Sequence, residues 1–83
     1  MRIQYTFEGR SILTDVSEEL LDFLAGLVIC YRLLSKDRVT KAAKAQEAFI
    51  RGYLYGLEVS KTIDSNRSEQ LYKFFMNQEG AHA

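Results

Sequence analysis

The segment spanning residues 20–34 constrains the fold of this chain more strongly than any other feature. Its only charged residues are Asp22 and Arg32, and no proline or polar run interrupts it. The segment predicts a helix that is apolar on most sides, which is typical of a helix buried by its neighbours. Because the whole chain has only 83 residues, few other elements are present to surround that helix.

The length and composition place the chain among small folded proteins with one domain, residues 1–83. Hydrophobic residues make up 47% of it and the formal net charge is zero, which argues against disorder and against nucleic-acid binding driven by overall basicity. A single cysteine excludes an internal disulfide framework. Oligomerisation is the usual remedy for so small a core, so we expect a homodimer that buries the first helix, or the outer side of it.

The location expected from the sequence is the cytoplasm. The first residues lack the apolar stretch of a signal peptide, and the chain contains a lone cysteine, which is typical of a reducing compartment. No apolar run reaches the 18 residues or so that would span a bilayer. We therefore expect no membrane partner.

The N-terminal residues 1–14 carry the pattern of β-structure. Polar and apolar residues alternate strictly over residues 2–7, which is the period of a half-buried strand. Gly9 follows in a turn, and residues 11–14 can return as a second strand. Since Ile12 and Leu13 are adjacent apolar residues, the pairing register stays open, and so does the choice between a hairpin and a single strand.

Three helices are predicted after the hairpin, over residues 16–35, 39–63 and 67–78, with a frayed tail at 79–83 that follows Gly80. The residues expected to cap the first and third helices are Asp15 or Ser17, and Asn66. A connection of a few residues between the first two helices predicts an antiparallel pair. The fold class is therefore α+β and mostly α.

The second predicted helix carries two stripes at helical spacing. We expect one of them to be its core stripe, made of Val39, Ala42, Ala43, Phe49, Ile50, Tyr53 and Leu57. The other consists of small residues, Ala45, Ala48, Gly52 and Gly56. Because a glycine inside a helix is about 1 kcal/mol less favourable than alanine, we expect another element to pack closely against the second stripe. In the third helix, Leu71, Phe74 and Phe75 are expected to be buried, with Tyr72 and Met76 beside them.

No combination of residues predicts catalysis, a cofactor or a metal site. The single histidine, His82, is the penultimate residue, where an imidazole is poorly held for acid–base chemistry. Cys30 lies among apolar residues and is expected to be buried. The carboxylates of Glu18, Glu19 and Asp22 are explained by the dipole at the start of a helix, although two of them share a face. We therefore predict a protein that is not an enzyme.

Binding to another protein is the predicted function. The apolar first helix, the small-residue stripe and the ten aromatic residues are typical of an interface. The candidate interface residues are Phe23, Leu27, Ala48, Gly52, Tyr55 and Gly56. We expect a small regulatory or inhibitory protein, homodimeric, that docks on a larger protein of unknown identity; such proteins are often encoded by phages or mobile elements.

The alternative is a nucleic-acid-binding transcriptional regulator. Lys41, Lys44 and Arg51 follow one another at steps that place them along one side of the second helix, with Arg38 before them. The polar side of the first strand adds Arg2 and Gln4, which are suited to reading base edges. A charged stripe is also what the solvated side of a helix looks like, and the acidic residues beside it fit that simpler interpretation.

Overall fold

The computed structural model describes residues 2–76, and its elements confirm the α+β, mostly α fold class. They are β1 (Ile3–Phe7), β2 (Arg10–Thr14), α1 (Glu18–Lys36), α2 (Thr40–Val59) and α3 (Ser65–Met76). The two strands form one antiparallel sheet, and α1 and α2 form the expected antiparallel pair. The predicted tail at 79–83, the stop at Gly80 and the end of the third helix at residue 78 lie outside the described residues.

The hairpin register is set by a two-residue turn. Glu8 and Gly9 have φ angles of 52° and 79°, and positive φ at both central residues defines the tight turn that matches the twist of paired strands. The turn pairs Phe7 with Arg10 and Tyr5 with Ile12. Tyr5, Phe7 and Ile12 are consequently buried on one side of the hairpin, and the open choice between Ile12 and Leu13 is resolved.

The first helix begins at Glu18 because Ser17 caps it. The Ser17 Oγ atom accepts a hydrogen bond of 3.3 Å from the backbone N–H of Leu20, which satisfies one of the free donors of the first turn. Asp15, the other candidate cap, instead accepts from Arg67 of α3 at 2.5 Å. The hairpin is thereby tied to the start of the third helix.

The second helix ends at Val59, four residues before its predicted end. Lys61 adopts a φ angle of 63°, a left-handed conformation that helices use to terminate. Glycine or asparagine normally marks such a position, and the sequence has a lysine there. After the reversal, Ile63 returns to the core.

The third helix starts at Ser65, earlier than predicted, because Asp64 caps it rather than Asn66. The Asp64 Oδ1 atom accepts from the backbone N–H of Arg67 at 2.7 Å. The helix then buries Phe75, whose ring centroid lies 5.0 Å from that of Phe7 on the hairpin. Phe74, which was expected to be buried, is only partly so.

The core lies between the hairpin, α3 and the inner sides of α1 and α2. From α1 it receives Leu21, Leu24, Ala25 and Val28. The predicted core stripe of α2 was partly wrong, since Ile50 is buried whereas Val39 and Phe49 are exposed. Leu54 was not predicted but is buried, because it follows Ile50 by one turn on the side of α2 that faces α3. Phe49 is exposed because it is rotated about 100° around the helix axis from Ile50.

Candidate protein interface

Both charged residues of the apolar segment form hydrogen bonds on the flank of α1 next to the hairpin, where Arg32 is half-buried and Asp22 is exposed at the edge of that flank. The Tyr5 hydroxyl donates to the Asp22 carboxylate at 2.7 Å. Arg32 donates to the carboxylate of Glu8 and, at 2.8 Å, to the backbone carbonyl of Phe75. The opposite side of α1 therefore carries no charge between residues 23 and 34.

That opposite side of α1 is exposed to solvent. Phe23 and Leu33 are 51% and 58% exposed, and Gly26 lies between them on the same side. Cys30 is also exposed, which corrects the prediction that it is buried. Cys30 lies two residues after the buried Val28, and two residues correspond to about 200° of helical rotation.

The second helix contributes a matching apolar stripe. Its members follow at alternating steps of four and three residues, which keeps them on one side of a helix, and they are Ala45, Phe49, Gly52, Gly56 and Val59. Phe49 is 55% exposed and Val59 is 63% exposed. No charged residue interrupts the stripe.

The two stripes meet along the seam between α1 and α2. Near one end of the seam, the ring of Phe23 lies 5.0 Å from the ring of Tyr53. Further along, the Gln46 side-chain amide donates to the backbone carbonyl of Leu27 at 3.1 Å. We call the resulting surface the outer face, and its residues are Phe23, Gly26, Leu27, Cys30, Leu33, Ala45, Phe49, Gly52, Tyr53, Gly56 and Val59.

The glycines of the outer face are not needed for packing within the described residues. A Cβ atom built on Gly26, Gly52 or Gly56 meets no heavy atom within 4 Å, leaving aside the adjacent helix backbone. The expectation that another element packs closely against Gly52 and Gly56 is therefore not met by any part of residues 2–76. Each glycine lowers helix stability by about 1 kcal/mol relative to alanine, and no contact among residues 2–76 offsets this loss.

The predicted interface residues divide between two surfaces. Phe23, Leu27, Gly52 and Gly56 lie on the outer face, and the exposed Ala48, one turn before Gly52, lies at its edge. Tyr55 instead lies on the flank of α2 that is turned toward α3. Tyr55 is 66% exposed and lines a cleft of about 510 Å³ between α2 and α3. Four residues of the outer face were not predicted to lie at an interface: Phe49, which was expected in the core, and Gly26, Cys30 and Leu33. The alternating steps of four and three residues along α2 were the signal that could have placed Phe49 on the same side as Gly52 and Gly56.

Two of the predicted nucleic-acid-binding residues lie exposed on α2, and a third is held by its neighbours. Lys41 and Lys44 make no ion pair with any residue between 2 and 76. The Arg51 guanidinium lies 4.3 Å from the centre of the Tyr72 ring and 3.6 Å from the carboxylate of Glu47.

The other candidates lie elsewhere. Arg38 is in the turn between α1 and α2 and has a φ angle of 62°. Arg2 and Gln4 are exposed at the hairpin, so they stand on a different element from the lysines of α2.

Hydroxyl–carboxylate pairs in the structure are parts of its packing. The Tyr72 hydroxyl donates to Glu47 at 2.7 Å and joins α3 to α2. Burial, together with the Glu47 carboxylate, raises the pKa of Tyr72 to about 12. Burial and the Asp22 carboxylate raise the pKa of Tyr5 to about 12 in the same way. Both tyrosines are therefore held as neutral hydrogen-bond donors.

Within the described part of the chain, no three side chains of histidine, cysteine, aspartate or glutamate gather as a metal site would require. None of the three described helices is long and apolar enough to span a membrane. Glu18 and Glu19 occupy the first turn of α1, where their charges stabilise the helix dipole. The chain matches no protein-family model, and comparison with curated proteins and with solved structures finds no similar protein.

Proposed function

We propose that this protein is a non-catalytic protein-interaction module, with a regulatory or inhibitory role in the cytoplasm, that binds through its outer face. The observation that supports this most directly is an uncharged apolar surface spanning two adjacent helices, with two phenylalanine side chains more than half exposed. Isolated exposed apolar residues are common, but a continuous apolar patch is typical of a binding site.

The size of the patch supports the same proposal. Phe23, Leu33, Phe49 and Val59 each retain roughly half or more of their surface in solvent, which is about 100 Å² per side chain. Together they expose about 400 Å², and burial of that area is worth about 10 kcal/mol before the entropy of association is subtracted. An area of about 400 Å² is in the range of the largest apolar patch on a typical monomer, and such a patch is often functional.

Two further features support the proposal, one for binding rather than catalysis and the other for a reducing compartment. The polar groups that could do chemistry instead join elements of the fold. Examples are the hydroxyl of Tyr72 with the carboxylate of Glu47, and the guanidinium of Arg67 with the carboxylate of Asp15. The thiol of Cys30 is free and exposed, which suits the cytoplasm.

Affinity capture from the source cells with matched variants tests the proposal. We expect the wild-type chain to retain a set of proteins that Phe49→Asp loses, because a buried carboxylate at the outer face is strongly unfavourable. Tyr55→Asp is the control, since Tyr55 is at least as exposed on the same helix but lies on another side. If Phe49→Asp and Tyr55→Asp retain the same proteins as the wild type, the outer face is not the binding surface.

A nucleic-acid-binding regulator is the second candidate, supported by the exposed Lys41 and Lys44. Both lack an ion-pair partner among residues 2–76, so their charges are available to phosphates. Gel shifts with DNA and RNA over a range of salt concentrations test this candidate. The double variant Lys41→Glu with Lys44→Glu should weaken binding to every sequence and reduce its salt dependence; unchanged binding would rule out this surface.

A further inference from the structure

We propose that the occupant of the outer face is a second copy of this chain, related by a twofold axis perpendicular to α1 and α2. This inference rests on the proposed function and identifies the partner. Two antiparallel helices with an apolar side form half of a four-helix bundle, and two such halves complete each other when their apolar sides meet. An interface of this kind uses the same patch on both copies.

The charges at the two ends of the outer face are self-complementary. The start of α1 is acidic, with Glu18 and Glu19 exposed in its first turn. The end of α1 and the start of α2 are basic overall, because Lys36, Arg38, Lys41 and Lys44 are exposed there and outnumber the one exposed carboxylate, Asp37. A twofold axis perpendicular to the helices places the acidic end of one copy on the basic end of the other. An axis parallel to the helices would bring like charges together.

The positions of Glu19 and Lys41 fit this axis. Phe23 contacts Tyr53, so Gly26, three residues further along α1, is level with Ile50 on the antiparallel α2 and within about 1.5 Å of the level of Phe49. Glu19 lies seven residues before Gly26 and Lys41 lies eight residues before Phe49, distances of about 10 Å and about 12 Å along the helices in opposite directions. An axis in the plane of the interface at the level of Gly26 therefore places α1 against α1 and α2 against α2, and brings Glu19 to about the level of Lys41 on the diagonally opposite helix of the second copy.

The outer face and its charged ends together are large enough for a dimer. The outer face runs from Phe23 to Leu33 on α1 and from Ala45 to Val59 on α2, so it is about 15–20 Å long and about 20 Å wide. With the charged residues beyond its ends, from Glu19 to Lys36 on α1, the paired surface is about 25 Å long and has a projected area of about 500 Å². The accessible area of a surface with side chains is larger than its projection. A stable interface buries about 800 Å² on each partner, which requires this whole surface and not the apolar patch alone.

The glycines explain how the two copies approach each other. No atom of residues 2–76 beyond the adjacent helix backbone lies within 4 Å of a Cβ atom built on Gly26, Gly52 or Gly56, and small residues allow helix axes to come closer than large side chains do. Close contact with a second copy would offset the helix instability that these three residues introduce.

Sedimentation equilibrium of the full chain tests the dimer. We expect the wild type to associate to twice its 9.6 kDa mass at micromolar concentration. Gly52→Leu should weaken association at least tenfold, because its side chain fills the space between the helices. The same change should leave the isolated chain no less stable, since leucine favours a helix more than glycine does, so loss of association is separated from unfolding.

A charge-reversal cycle tests the orientation. Glu19→Lys and Lys41→Glu should each weaken association severalfold, because each change brings like charges to the same end of the dimer twice. The double variant Glu19→Lys with Lys41→Glu should restore it. Tyr55→Asp, on another side of α2, is the control and should associate as the wild type does.

The outcomes separate this inference from the proposed function. A wild type that stays at 9.6 kDa up to high concentration overturns the dimer, and protein capture that still depends on Phe49 would then leave the proposed function standing. If the wild type dimerises and Gly52→Leu does not weaken the dimer, the chain associates through another surface. That result would overturn the proposal that a second copy binds to the outer face. A dimer whose double charge reversal stays weak overturns the twofold axis proposed here.

Discussion

Replacing Gly52 with alanine should stabilise the isolated chain, and the size of the effect follows from the structure. Gly52 lies in the interior of α2, and a Cβ atom there meets no heavy atom within 4 Å outside the adjacent helix backbone. The new methyl group therefore makes no clash, and only the difference in helix propensity remains. That difference is about 0.8–1.0 kcal/mol in favour of alanine.

Gly9 provides a matched control with the opposite sign. A Cβ atom on Gly9 also meets nothing within 4 Å, but its φ angle is +79°. Alanine in that left-handed conformation is unfavourable by roughly 1 kcal/mol. Because both sites are open, the two substitutions differ in backbone conformation and not in packing.

Urea unfolding followed by circular dichroism measures both variants. For a chain of this size the unfolding free energy falls by about 1 kcal/mol per molar urea, so Gly52→Ala should raise the midpoint by about 1 M and Gly9→Ala should lower it by a similar amount. Measurements at two protein concentrations tenfold apart separate helix stability from association. A lower midpoint for Gly52→Ala in the dilute sample would mean that the space above Gly52 is not empty in the single chain, and the reasoning would be refuted.

Three further perturbations have calculable outcomes. Tyr72 has a pKa of about 12 in the folded chain, above the value of about 10 expected when it is unfolded. Its contribution to the unfolding free energy should therefore be constant below pH 10 and be lost between pH 10 and 12. Denaturant unfolding at a series of pH values should show that the unfolding free energy falls less steeply over this range in Tyr72→Phe than in the wild type. Phe75→Ala should lower the unfolding free energy by about 3–5 kcal/mol, because its ring is fully buried, and a loss below about 1 kcal/mol by chemical denaturation would contradict that packing. Arg32→Met should lower it by about 1–3 kcal/mol, since Glu8 and the carbonyl of Phe75 lose a charged donor, and an unchanged melting temperature would count against those bonds.

The elements of the fold could be predicted from the sequence, but the register and ends of some could not. Alternation at residues 2–7 predicts a strand because successive side chains point to opposite sides of a sheet. The register depends on the positive φ angles of Glu8 and Gly9, and glutamate gives no signal for such a conformation. Lys61 also has a positive φ angle, just after the end of α2, and a lysine in the sequence does not indicate such a conformation either.

The outer face was predicted only in part because its residues resemble core residues. Phe49 and Ile50 are adjacent apolar residues on one helix, and composition does not indicate which of them an unseen neighbour will cover. Cys30 and Val28 raise the same difficulty on α1. The deciding information is where the hairpin and α3 pack, and that follows from long-range contacts such as Phe75 with Phe7.

The bonds of Asp22 and Arg32 to the hairpin side have a consequence for the behaviour of the free subunit. Rolling α1 about its own axis to hide Phe23 and Leu33 would pull both ionic groups away from Tyr5 and Glu8, and each lost charged hydrogen bond is unfavourable by about 1.5–3 kcal/mol. The hydrogen bonds of Asp22 and Arg32 therefore oppose rotation of α1 about its own axis. The two residues thus fix which side of α1 is exposed, and Phe23 and Leu33 remain at the surface of the free chain.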